Sequence, residues 1–98
     1  MERFESELGD VRLTESYFER TRSGNEWKDI EEESEELADK LHFSQIEDLR
    51  MRPEAEPPYV EAKSDGAWRK IYFAPGEDVA DFFRRLEYLW KSFRQRES

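Results

Sequence analysis

The residues that could do chemistry in this sequence are few. His42 is the single imidazole, and a general base needs a nucleophile or an acid partner that no pattern around it supplies. We therefore interpret His42 as a polar strand residue. The glycines stand alone at positions 9, 24, 66 and 76, so there is no glycine-rich loop to cradle a phosphate. The sequence predicts no enzyme and no cofactor.

An acidic stretch is the next candidate. Residues 26–39 contain eight acids and one base, a charge of −7. Calcium loops alternate oxygen ligands around a glycine turn, which is missing here, so no metal site is predicted. A solvated acidic segment is the favoured interpretation, and a segment that docks a basic partner is the alternative. The glutamates of its central run are Glu31, Glu32, Glu33, Glu35 and Glu36.

Aromatic and basic residues complete the candidates. Trp27, Tyr59 and Trp68 lie near predicted turns or strand ends, where exposed aromatics often anchor a partner. With the five glutamates they are the predicted partner-binding residues. Five basic residues fall in the later predicted strands and would form one face for anionic lipid, namely Arg50, Arg52, Lys63, Arg69 and Lys70.

Composition limits the class of protein. The chain has 98 residues, enough for a single domain spanning 1–98, and its net charge is −9. That charge repels phosphate backbones and anionic head groups, so nucleic acid and membrane are disfavoured as partners. Without cysteine there is no disulfide and no thiolate zinc site, which fits a cytoplasmic location. Phe, Leu, Ile and Val make up 20 of 98 residues, so aromatic side chains must carry much of the core.

The elements that must position these residues follow from hydrophobic spacing. Apolar residues recur with helical spacing from Val79 to Phe93, which predicts an amphipathic helix over about 77–95. Before it, Tyr59–Lys63 and Ala67–Ala74 flank Asp65-Gly66, the preferred dipeptide of a type I′ hairpin. The residues 53–58 form a proline-rich loop.

Shorter strands are predicted toward the N-terminus. They are 4–8, 10–14, 17–22, 26–30, 40–43 and 47–52, with turns at 9–10, 23–25 and 44–46. The stretch 31–39 is either a short helix or a loop. Strands over about 4–74 followed by one helix indicate an α+β fold. We expect a small antiparallel β-sandwich or open barrel of about six to seven strands, capped by the C-terminal amphipathic helix.

Several segments resemble the pleckstrin-homology (PH) superfold, above all its prokaryotic PH-like members. Residues 9–18 are similar to the early strand, threonine turn and strand of that family, and residues 43–51 to its mid-domain strand, turn and strand. Asp65-Gly66 with residues 71–73 resembles the last hairpin, and Trp90 resembles the tryptophan that PH domains pack onto their barrel. The resemblance covers about residues 9–95.

The resemblance implies a binding module, not an enzyme. PH-like domains bind phosphoinositides, peptides or other domains, and the early turns here lack the basic loop of the lipid-binding members. We therefore expect a protein-interaction module that binds a partner protein or peptide, with a groove between the helix and an adjacent strand as one acceptor of an extended peptide. The alternatives are a peripheral lipid-binding domain and a homo-oligomeric scaffold such as a homodimer.

The acidic stretch gives a testable prediction. Replacing Glu31, Glu32, Glu33, Glu35 and Glu36 by glutamine is expected to weaken the affinity for a basic partner by roughly tenfold and to flatten its salt dependence. Titration calorimetry at low and high salt measures both quantities. Unchanged affinity and an unchanged salt dependence would contradict the docking hypothesis.

Overall fold

The computed structural model describes residues 2–22 and 37–97. In that part of the chain the elements are β1 (Glu2–Phe4), β2 (Val11–Leu13), β3 (Tyr17–Arg20), β4 (Lys40–His42), a 3-10 turn (Phe43–Gln45), β5 (Asp48–Arg52), β6 (Tyr59–Ser64), β7 (Ala67–Tyr72) and the helix α1 (Val79–Glu97). The predicted turn at 23–25, the predicted strand 26–30 and the acidic residues 31–36 lie outside the described residues.

The strands form two antiparallel sheets, which confirms the predicted α+β class. One sheet has the order β1-β2-β3-β4 and the other β5-β6-β7. The sheets meet where Leu37 pairs in parallel with Lys70 and the Ala38 amide donates to the Lys70 carbonyl, at 2.9 Å. The structure is therefore a small sandwich. The two sheets leave one side of it open, and α1 covers that side.

Two tight turns set the strand registers. Asp65 and Gly66, with φ values of 55° and 81°, connect β6 to β7 in the positive-φ conformation that a type I′ turn requires. Between β2 and β3, the Thr14 hydroxyl accepts from the amides of Ser16 and Tyr17 at 3.2 and 3.0 Å. The Thr14 side chain thus stabilises a turn that contains no glycine. The Asp65-Gly66 hairpin was predicted from its residues, whereas the turn at Thr14 was expected only from the family resemblance.

Aromatic rings fill much of the space between the sheets and α1. Phe4 contacts Phe73 and Phe82 edge to face, with ring centroids 5.5 and 5.4 Å apart. Phe18 and Phe43 are buried in the same cluster. Each buried aromatic ring removes ~150–250 Å² from water, which compensates for the small number of aliphatic residues.

The helix begins later than predicted. Asp78 caps it, because its carboxylate accepts from the Asp81 amide at 3.0 Å, so the first helical residue is Val79 rather than Glu77. Glu77 stays outside the helix, and its carboxylate accepts from the Ser6 hydroxyl at 2.7 Å and the Glu7 amide at 3.2 Å. The first-turn acid that looked like part of the helix instead fixes the β1–β2 connection.

Helix α1 docks through one stripe of side chains. Val79, Phe82, Leu86 and Trp90 are buried, and the Trp90 indole donates to the Ile46 carbonyl at 3.2 Å. A buried indole N–H usually finds such a partner. No helix among residues 2–22 and 37–97 combines the length and apolarity that crossing a membrane requires.

The first strand is also displaced from its predicted position. Strand 4–8 was expected, but β1 ends at Phe4 because the chain turns over 6–9, where the Gly9 amide donates to the Ser6 carbonyl at 3.0 Å. Leu8 then packs in a small cluster with Tyr72 and Ala74. Leu8 therefore contributes to the core from a turn, and not from the predicted strand 4–8.

Gly9 provides a test of this turn. Its φ is 117°, and a Cβ built on it would lie 1.6 Å from the Thr21 carbonyl oxygen; Gly76, with φ 89°, has open space around the same position. Gly76→Ala is expected to cost only the strain of positive φ, about 1–2 kcal/mol. Gly9→Ala should lower the free energy of unfolding by clearly more, measured by urea denaturation. Equal losses would contradict the close backbone contact.

Candidate functional site

A groove lies between α1 and the four-stranded sheet. Its volume is about 430 Å³. The sheet side is formed by Glu2, Leu13, Thr14 and Glu15, and the helix side by Arg84, Arg85, Tyr88 and Leu89. This is the type of groove, between the helix and an adjacent strand, that the sequence hypothesis required for an extended peptide. We call it the helix groove.

Tyr88 is the distinctive residue of the helix groove. It is 71% exposed, whereas Leu86 and Trp90 on either side of it are buried. At 3.6 residues per turn, Tyr88 lies about 200° around the helix from each of them, away from the buried stripe. An exposed phenol ring combines a large apolar surface with a polar tip, which suits it to anchor a partner.

The rim of the helix groove carries both signs of charge. Arg85 contacts Asp81 at 3.1 Å and Arg84 reaches the same carboxylate only at 3.9 Å. On the sheet side, Arg96 forms an ion pair with the Glu15 carboxylate at 3.4 Å and donates to the Glu15 backbone carbonyl at 3.0 Å. These exposed ion pairs contribute little and exchange readily for others. The helix side therefore presents cations and the sheet side presents carboxylates.

The groove also borders an unpaired strand edge. Within the described residues β1 pairs only with β2, so its other edge offers backbone donors and acceptors. Glu2 and Phe4 point to the same side as Leu13 and Val11, their cross-strand partners. An edge strand beside an open groove is the geometry on which another extended segment can add.

The second candidate surface is the outer face of the sheet β5-β6-β7. Cross-strand pairing places Arg50 beside Glu61 and Lys70, and Arg52 beside Tyr59. On the same side, Lys63 lies between exposed Asp48 of β5 and Trp68 of β7. We call this the basic face, defined by Arg50, Arg52, Lys63 and Lys70. Arg69 was predicted to belong to the same face, and this prediction is wrong. Arg69 lies on the opposite side of the sheet, in register with buried Ala62, because neighbouring residues in a strand point to opposite faces.

Arg50 is held in place from two directions. Its guanidinium donates to both carboxylate oxygens of Glu61, at 2.8 and 3.3 Å, and lies 4.0 Å from the centroid of the Trp68 ring. The Glu61 side chain is only 4% exposed. The hydrogen bond that Arg50 donates to Glu61 raises the pKa of Arg50. A buried carboxylate thus keeps the arginine flat against the sheet.

Tyr59 and Trp68 lie at opposite ends of the basic face. Trp68 pairs with Lys63 and Tyr59 with Tyr72, which separates them by four residues along β6, about 14 Å. The Lys70 ammonium lies 5.0 Å from the Tyr59 ring centroid, as Arg50 does over Trp68 at 4.0 Å. Both rings are half-buried and organise the cations around them. Their contact with a partner stays a prediction.

A buried arginine connects the two sheets. Arg20 is 4% exposed, and its guanidinium donates to the Tyr72 carbonyl at 2.6 Å and lies 4.8 Å from the Phe73 ring centroid. Burial lowers the pKa of Arg20 to about 10, so the side chain remains charged at neutral pH. No local sequence pattern indicates this role, because the contact joins β3 to the end of β7.

Of the remaining candidate residues, some lie within the described part of the chain and others lie outside it. His42 ends β4, and its Nδ1 accepts from the Ser44 amide at 3.2 Å, which caps the 3-10 turn. In the described part of the chain no cluster of His, Asp or Glu side chains could hold a metal ion. The predicted partner-binding residues outside the described residues are Trp27, Glu31, Glu32, Glu33, Glu35 and Glu36.

The contact between Arg50 and Glu61 can be tested on stability. Arg50→Gln leaves the nearly buried Glu61 carboxylate without its ion pair, so the melting temperature at neutral pH is expected to fall by several degrees. Lys63→Gln removes a neighbouring cation of the same face. Because Lys63 forms no ion pair with a described carboxylate, this variant should leave the melting temperature almost unchanged. Equal effects of the two variants would show that Glu61 does not depend on Arg50.

The comparisons with other proteins leave these surfaces as the basis for a functional argument. No protein-family model matches the sequence, and neither the curated proteins nor the solved structures contain a significant match. The resemblance to PH-like domains therefore stays a prediction from the sequence. The function has to be argued from the helix groove and the basic face.

Proposed function

We propose that this chain is a non-enzymatic protein-interaction module with a PH-like fold, which binds an extended peptide of a partner protein in the helix groove. The observation that carries the proposal is Tyr88, a large ring left 71% exposed on a helix whose other large apolar residues are buried or half-buried. In a chain so poor in apolar residues, a ring that contributes nothing to the core is available for another purpose.

The bound peptide is extended and has a definite charge pattern. Its backbone adds beside the unpaired edge of β1, and an apolar residue enters the groove between Tyr88 and Leu89. Acidic residues on its helix side meet Arg84 and Arg85, and a basic residue on its sheet side meets Glu2 or Glu15. The strand edge supplies affinity, while the anchor and charges supply selectivity.

Three features support the PH-like part of the proposal. Sheets of four and three antiparallel strands are covered by one C-terminal helix. Thr14 organises the early hairpin, at the position where the sequence resembles the family. Trp90 of that helix is buried against the sheets and hydrogen-bonded to the Ile46 carbonyl. The Thr14 hairpin and Trp90 belong to segments on which the resemblance was based, although a fold does not determine a function.

Selection from a random peptide-display library tests the proposal. Selected peptides are expected to perturb the backbone chemical shifts of β1 and of the Tyr88 region of α1. Tyr88→Ser should weaken their binding by about tenfold or more while leaving the free energy of unfolding within about 0.5 kcal/mol, since the ring is exposed. Lys91→Ser, on the same helix but outside the groove, is the matched control and should bind normally.

Other outcomes would overturn the proposal. Peptides that perturb only the basic face, or that bind Tyr88→Ser as tightly as the unchanged chain, would remove the helix groove as the binding site. Failure to enrich any peptide would do the same. A concentration-dependent dimer in light scattering whose interface shifts map to Tyr88 would assign the groove to self-association instead.

A further inference from the structure

The basic face differs from the rest of the described surface in how its charges are paired. Most other arginines have a carboxylate partner, for example Arg3 with Asp10 and Arg22 with Asp39. On the basic face only Arg50 has one, and no described carboxylate forms an ion pair with Arg52, Lys63 or Lys70. The chain carries nine more acids than bases, so unpaired cations are not caused by a shortage of carboxylates.

Two of these cations, Arg50 and Lys70, are also held in position before any partner arrives. Glu61 fixes Arg50 through two hydrogen bonds, and the Trp68 ring supports it from one side. Only two of the five N–H donors of the guanidinium are used by Glu61. The Tyr59 ring supports Lys70 in the same way. Side chains that are already ordered lose less conformational entropy when they bind.

From this arrangement we infer that the basic face binds a short acidic segment of a partner polypeptide. The guanidinium and ammonium groups are distributed over three strands around Glu61, where they can reach the carboxylates of an extended chain. Arginine in particular binds carboxylates through paired hydrogen bonds. The site is distinct from the helix groove, because its side chains point away from the core on the outer side of β5-β6-β7. It stands whether or not the groove binds a peptide.

Other anionic partners fit the face less well. A single-stranded nucleic acid would require free aromatic rings for stacking, but Trp68 and Tyr59 already carry a cation over the ring. Nucleic acids and anionic membranes also extend well beyond the face and meet the repulsion of a chain with net charge −9. A short acidic segment can lie over the four cations without extending far beyond them, and charges act only within ~8 Å at physiological salt.

Titration of the full chain with octaglutamate tests the inference. Binding should perturb the Trp68 indole and the backbone of β5-β6-β7, and should weaken strongly between about 50 and 300 mM salt. The double variant Lys63→Gln/Lys70→Gln is expected to bind about tenfold more weakly. The double variant Arg12→Gln/Arg94→Gln has the same net charge, changes residues of β2 and α1, and should bind as the unchanged chain does.

The same experiment separates the competing explanations. An equal loss of binding in both double variants would mean that net charge alone attracts the peptide, and would overturn the site. Shifts confined to other surfaces, or no binding at about 50 mM salt, would also overturn it. So would tighter binding, through the same residues, of a single-stranded oligonucleotide or of vesicles containing phosphatidylserine. Thermal melting of each variant confirms that it is folded.

Discussion

The docking of α1 onto the open side of the sandwich is the interaction on which the rest of the structure depends. Near its start, Phe82 contacts Phe4, which lies on the edge strand β1 of the four-stranded sheet. Near its end, Trp90 is buried and hydrogen-bonded to the carbonyl of Ile46, just before β5. A helix fixed at both sheets leaves a groove on one flank and forces Tyr88 outward. The core and the candidate peptide site are thus two results of the same packing.

The sequence predicted the parts of this arrangement that are local. The buried stripe of α1 has a 3.6-residue period, and Asp65-Gly66 has the conformational preference of its turn, so both could be recognised without a structure. The start of α1 was misplaced because Glu77 looks like a first-turn acid. Its carboxylate instead accepts from the nearby Ala74 amide and from two groups some 70 positions away, on Ser6 and Glu7. Strand β1 was misplaced for a similar reason, since the turn after it depends on a distant backbone at Thr21.

The candidate sites were only partly predictable. Alternation along strands would have separated Arg69 from Lys70, because adjacent strand residues face opposite sides, and the helical period would have placed Tyr88 off the buried stripe. The assembly of the basic face from three strands, and of the helix groove from β1, β2 and α1, requires the sheet order. That order is set by contacts between distant residues such as Arg20 and Tyr72, and no local pattern encodes it.

The position of α1 at the end of the fold has a consequence for synthesis on the ribosome. Arg96 of the helix meets Glu15, 81 positions earlier, and Phe82 packs on Phe4, so the first strands acquire their cover only after the helix has emerged. Until then Phe43 and Phe73, both buried in the finished core, face water in a nascent chain that already contains both sheets. Such exposed rings and unpaired strand edges favour aggregation and attract chaperones. The two sheets are therefore expected to reach their native packing only after α1 has left the ribosome exit tunnel.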